Sequence, residues 1–368
     1  MSGTVTLHVG TPKSGTTSLQ EAFRSQQAAL ADQGIAYLAA AGELNAGDAA
    51  ADAARADPVY WARSTAEQRD YLGWLWRGAA AGAAVGRLRA AMPGEQTSVI
   101  LSAENLSLAG PVLRAEVLGW FPGRSVRVVV TRRRPSAALV SNYYQLLRLG
   151  PMPPLPMWLP GILTDLLQRH SDSMAWWVPR GPLERFWAGE GTAGGSAGDD
   201  LEVVTVDLPG SDPAAEIQHA ADVIVGQPGV ITGIPRLNAR RSDALLAALQ
   251  VVAREDPRLD RLALHALMTW AAPHVRPTSA AGSPLSPDLA ALIDAALAES
   301  GAEAAASLEQ VLATGSWPVG LEVRDPVGMA DPGEVAELAS FMRRRRALAR
   351  AAAVAARSRM RVAWWRGR

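Results

Sequence analysis

The sequence predicts an α/β fold: a three-layer domain whose mostly parallel central sheet is flanked by helices, joined to a helical C-terminal part. Three observations predict it. Short apolar runs rich in Val, Ile and Leu recur at 4–9, 98–102, 125–131 and 201–208, as expected for strands buried on both faces. Helix-length segments separate these runs, the pattern of strand–helix–strand crossovers. After residue 208 no further strand run is evident and helical periodicity takes over.

The elements follow in order. "TVTLHV" (4–9) reads as a buried strand, Gly10 to Gly15 as a loop, and Gly15 to Ala31 as one helix with Leu19, Phe23 and Leu30 on one face. Gly34 ends that helix, and "IAYL" (35–38) is a second strand. Residues 39–57 read as a surface excursion, followed by a helical region with Trp61, Tyr71, Trp74 and Trp76 that runs towards Met92. "SVILS" (98–102) is a strand that leads into "AENLS", with a helix near 111–120. "SVRVVVT" (125–131) is the strongest strand, and helix 136–148 opens behind Pro135 at a first-turn position. "PMPPLPMWLP" (151–160) reads as a Pro-rich lid or rigid connection, with helical segments near 161–187 and a flexible loop at 189–200. After strand 201–208, helices are expected at 213–225, 242–254, 258–271, 286–298 and 333–358. These divide the chain into a domain over 1–335, largely helical beyond 150, and a basic helical tail over 336–368.

Composition narrows the function classes. The 368 residues contain no cysteine, which excludes disulfides, thiolate metal sites and cysteine nucleophiles. No basic-then-apolar leader and no apolar run of about 20 residues is present, so a cytoplasmic protein is expected. The net charge of zero conceals an asymmetry: residues 341–368 carry ten arginines and no acid, so the other 340 residues sum to −10. That tail, ending near Trp364 and Trp365, reads as a solvated helix, as a peripheral contact with the inner membrane face, or as a lure for an acidic partner. Nucleic acid is not expected as the main partner, since no binding motif is recognisable and the rest of the chain is acidic.

"GTPKSGTTS" carries the chemistry. Gly10 and Gly15 have the spacing of a G-x-x-x-x-G-K-[ST] phosphate loop between a strand and a helix, but Thr16 stands where the lysine belongs. Lys13, the only lysine in the chain, lies inside the loop instead. Loop amides and a helix N-terminus still suit an anion, and Ser14, Thr16, Thr17 and Ser18 add hydroxyls. A lysine placed before the second glycine suits a group attached directly to the cradled phosphate. A sulfonate fits best, because negative charge builds on the bridging oxygen as the S–O bond breaks.

"TPKSGTTSLQ" resembles the 5′-phosphosulfate loop, P-K-[ST]-G-T-T, of sulfotransferases that use 3′-phosphoadenosine 5′-phosphosulfate (PAPS). "SVRVVVTRRRPSAALVSNYYQ" resembles their 3′-phosphate motif, an arginine at a strand exit and a serine eight residues later; Arg133 and Ser141 have that spacing, and Arg132 and Arg134 do not. A guanidinium fork with a hydroxyl clamps a phosphate dianion. The likeness is to sulfotransferase-like proteins of actinobacterial type. It runs over about residues 4–150, also taking in "AALADQGIAYL" and "VILSAENLSL", and returns weakly at 237–249.

The resemblance implies a P-loop-like fold and transfer of a sulfonate from PAPS to a hydroxyl, or second to an amine, of a small-molecule, glycan or lipid acceptor. It assigns the cofactor to Pro12, Lys13, Ser14, Gly15, Thr16, Thr17, Ser18, Arg133 and Ser141. Lys13 would serve the leaving oxygen. Glu104, in an S-x-E segment after a central strand, is the first candidate for the base, with His8 the second. The other histidines have no context suggesting chemistry, and no residue cluster implies a metal. Trp158, Trp176, Trp177 and Trp187 are either an acceptor pocket or ordinary packing. Two other readings stay open: a Mg²⁺-dependent P-loop kinase with a displaced lysine, although no strand ends in a clear hydrophobic-run-plus-Asp motif, and a catalytically silent binding member.

Overall fold

The strand "VTLHVG" (β1, Val5–Gly10) is buried along its whole length, as its unbroken apolar pattern requires of a central parallel strand. The computed structural model describes residues 3–10, 15–38, 92–102, 114, 117–148, 150–168, 188, 201–208, 212–235, 242–275, 283–298 and 301–366, without the side chains of 357 and of 359 onward. Ile35–Tyr37 (β2), Ser98–Ser102 (β3), Val126–Arg133 (β4) and Leu201–Leu208 (β5) complete a five-stranded, all-parallel sheet in the order β2-β3-β1-β4-β5. The chain divides into two compact units, Met1–Ala138 with Ser171–Asn238, and Leu139–His170 with Ala239–Arg368.

The first unit holds the sheet. On one face Val5, Leu7 and Val9 join Val99, Leu101, Val126, Val128 and Val130 against Val117, Trp120 and Phe121. On the other, Ile100, Val129, Val206 and Leu208 meet three helices: Thr16–Ser25 (α1), Gln27–Asp32 (α2) and Pro213–Val225 (α5). Strand alternation sets Thr6 and His8 on this second face. Where a single helix over 15–31 is expected, Gln26 interrupts it. Its backbone leaves helical geometry, and its side-chain amide grips Thr232, donating to the carbonyl at 2.7 Å and accepting from the amide at 3.1 Å. β4 runs two residues past the expected end because Arg132 and Arg133 stay in register with Asp207 and Leu208 of β5.

Pro135–Leu146 (α3) crosses from the first unit into the second. The Pro-rich stretch expected to be a connection starts a helix, Leu155–Gln168 (α4), with Pro160 inside it. A proline there leaves the carbonyl four residues earlier without its helical donor. The Trp317 indole N–H points at that carbonyl, of Pro156, at 3.4 Å. Asp325 Oδ1 faces the Leu155 amide at 3.4 Å, at the start of the same helix.

Helices fill the rest of the second unit: Asp243–Glu255 (α6), Arg261–Ala271 (α7), Pro287–Ala296 (α8), Ala302–Ala313 (α9) and Pro332–Arg366 (α10). α9 is not among the expected helices: Leu308 alone is buried in an Ala-rich segment, so no apolar stripe marks it. α10 lays Leu338, Met342, Ala349 and Ala353 against α6 and α7.

Gln250 of α6, 0 % exposed, holds the turn between α3 and α4. Its Nε2 donates to the carbonyls of Leu147 and Gly150, each at 2.7 Å, and its Oε1 accepts from the Met152 amide at 2.8 Å. Replacing it by leucine fills the space but strands three backbone groups. Gln250→Leu is expected to cost about 3 kcal/mol, read as a lower urea midpoint with an unchanged slope. An unchanged midpoint would mean that the turn holds itself.

Candidate functional site

The phosphate-loop candidate lies where the sheet topology turns. From β1 the chain passes beyond β3 to β2, and from β3 it crosses to β4 on the other side of β1. Connections that diverge around a central parallel strand leave a crevice beyond its carboxyl end. Gly10 of β1 pairs beside Thr131 of β4, and His8 beside Ser102 of β3, so all three strands end at this edge.

Gly15 closes the loop and opens α1. Its φ of 83° is left-handed, and a Cβ there would come within 2.9 Å of Ile217 Cδ1 on α5, so conformation and space both demand glycine. Gly15 at the N-cap brings no side chain to cap α1, and the helix's own first turn holds no acid, so none of its own carboxylates counters the positive end of its dipole. Thr16 and Ser18 are buried and Thr17 is exposed. Pro12, Lys13, Ser14 and Glu104 lie outside the described residues.

Beneath this edge runs a buried polar row across three strands. His8 Nδ1 lies 2.8 Å from Ser102 Oγ, and Nε2 lies 3.0 Å from Thr131 Oγ1; all three residues are 0 % exposed. Burial pushes the imidazole down from 6.5 to about 3, so it is neutral, one nitrogen donating and the other accepting. A base must reach the proton it removes. His8 is buried and bonded on both nitrogens, which argues against its expectation as second base and suits it to fixing the strand ends. Gln20 of α1 adds to this by donating to the Ser102 carbonyl at 3.0 Å, two residues before Glu104. Sequence reasoning missed Ser102, Thr131 and Gln20. The available signal was a hydroxyl at the end of each strand flanking His8.

β4 separates the three arginines. Residues 131 and 133 share the face of His8 and α1, and 132 takes the opposite face. Arg132 is paired there with Asp207, its Nε donating to Oδ1, with Nη2 3.4 Å from Oδ2. Arg134 is exposed at the junction with α3. Arg133 is half-buried on the α1 face at the last position of β4. Ser141 is half-buried in α3, within the second unit. Of the tryptophans, Trp158 packs at a tilt against Tyr143 with ring centroids 5.3 Å apart, and Trp176, Trp177 and Trp187 lie outside the described residues. Among the described residues no group of three His, Asp or Glu could hold a metal, and no helix is long and apolar enough to cross a membrane.

These features define an α/β protein with a five-stranded, all-parallel sheet flanked by helices, whose central strand ends at a topological switch point. No protein-family model, curated protein or solved structure matches the chain.

Proposed function

We propose that this protein is a sulfotransferase that moves a sulfonate from PAPS to a hydroxyl, or second to an amine, of a small-molecule, glycan or lipid acceptor. One observation carries the reading: the loop holding Lys13 leaves the central strand at the switch point, and Arg133 stands on the same sheet face as the helix that loop opens. The residues fit an anionic nucleotide. A glycine that tolerates no Cβ lets the backbone come close, and the first turn of α1, which holds no acid, supplies positive dipole.

When bound, the donor supplies a sulfonate whose bridging oxygen takes negative charge as the S–O bond breaks. Pro12, Ser14, Gly15, Thr16, Thr17 and Ser18 would hold the 5′ end. Lys13 neutralises the charge on the leaving oxygen. Arg133 and Ser141 would hold the 3′-phosphate, and Glu104 would take the proton of the acceptor hydroxyl.

Calorimetry with adenosine 3′,5′-bisphosphate tests this. Binding without Mg²⁺ and in preference to ATP–Mg²⁺ is expected. Arg133→Ala should weaken it by roughly 10- to 100-fold, the cost of a lost charge-assisted pair. Arg132→Ala should leave it unchanged, because Arg132 is engaged by Asp207. A preference for ATP–Mg²⁺ would overturn the proposal in favour of a kinase.

A further inference from the structure

We propose that one side of α10, with the adjoining end of α7, is a docking face for anionic lipid. The α10 arginines divide into two sets. On the α6 side, Arg343 donates to Glu255 at 2.6 and 2.9 Å, and Arg350 lies 3.4 Å from Asp256. On the α7 side, Arg344 donates to the Ser340 hydroxyl at 2.7 Å, and the Arg345 guanidinium lies 3.7 Å above the Phe341 ring. Neither of these two meets a carboxylate among the described residues. The nearest acid on this side of the helix, Glu337, lies one turn before Phe341.

Arg345 helps to line an open cleft of about 500 Å³ with Trp270, His274, Phe341 and Leu348. His274 and Phe341 pack with ring centroids 4.3 Å apart, and among the described residues no carboxylate lines the cleft. Leu348, four residues after Arg344, is 63 % exposed. Cations, aromatic rings and an exposed leucine on one face match the headgroup-to-acyl boundary of an anionic bilayer. A nucleic acid would use the cations and leave Leu348 without a role.

α10 has 35 residues against 13 in α6 and 11 in α7, and Ala353 is its last residue shown buried. From residue 357 on, the sequence has five arginines, two tryptophans and no acid.

Co-sedimentation of the full chain with vesicles tests the face. Binding is expected to phosphatidylglycerol–phosphatidylcholine vesicles and not to phosphatidylcholine alone, weakening as salt is raised. The double variant Arg344→Gln/Arg345→Gln should bind roughly twentyfold more weakly, and Leu348→Ser roughly fivefold. Arg343→Gln, whose partner is Glu255, should bind as the parent does. Circular dichroism and thermal midpoints establish that each variant is folded. Equal binding to neutral vesicles, parent-like binding by the folded double variant, or binding to RNA with none to vesicles would each overturn the proposal. None of these outcomes depends on the donor nucleotide.

Discussion

Replacing Lys13 by alanine is expected to lower the rate of sulfonate transfer by roughly 100- to 1,000-fold, with affinity for intact PAPS held within about threefold. The two readouts separate because in intact PAPS the bridging oxygen still carries its sulfonate. On the proposed reading the phosphates would be held by backbone amides, hydroxyls and Arg133, and the lysine would act on charge that develops as the sulfonate leaves. A cation that serves the transition state changes kcat more than ground-state binding. Lys13→Arg is expected to fail as a rescue. A chain with 35 arginines keeps its single lysine in a six-residue loop between Gly10 and Gly15. A planar guanidinium demands a wider approach than a slim ammonium. Initial rates of labelled sulfonate transfer into fractionated cell extract give the first readout, and calorimetry gives the second. Parent-like transfer by Lys13→Ala would remove the lysine from the leaving-group role. A parallel loss of PAPS affinity would make it a binding residue.

β1, β3, β4 and β5 could be read from sequence because the information in an apolar run is consecutive. α5 was legible at both ends for local reasons too. Asp212 caps it, accepting from the amides of Ala214 and Ala215, and Gly226 ends it with a φ of 78°. What escaped depends on distant partners. The break between α1 and α2 exists because Gln26 holds Thr232. α4 forms through its prolines with Trp317 and Asp325 at its first turn, contacts more than 150 residues away in the chain. The same holds within the candidate site. Spacing alone selected Arg133, but a further reason to prefer it over Arg132 needed β5, which supplies Asp207 to the other arginine. His8 looked like a histidine on the floor of a crevice. Its two hydroxyl partners arrive from strands that only the sheet order brings beside it.

That buried row gives the protein a measurable acid sensitivity. His8 titrates near 6.5 when the chain is unfolded and near 3 when folded, because burial disfavours the charged ring. The folded value is the lower one. The neutral ring's contribution to stability is therefore complete above about pH 6.5 and is lost progressively as pH falls towards 3, where the unfolded chain takes up a proton that the folded chain refuses. The slope approaches 1.4 kcal/mol per pH unit, about 4–5 kcal/mol over the window. Acidic groups that titrate in the same range add their own slopes, so the expectation is a difference between variants. His8→Gln keeps a neutral donor and acceptor but cannot take up the proton. It is expected to be less stable than the parent at pH 7, with a stability curve between pH 6.5 and 4 shallower by about the slope of a single proton. Urea midpoints across that range measure it. In the folded parent, the His8 imidazole resonances should hold their neutral positions down to about pH 4. Identical slopes for parent and variant, or a ring that titrates near 6.5 in the folded state, would show that the row admits a proton. His8 would then regain the acid–base role that its burial between Ser102 and Thr131 argues against.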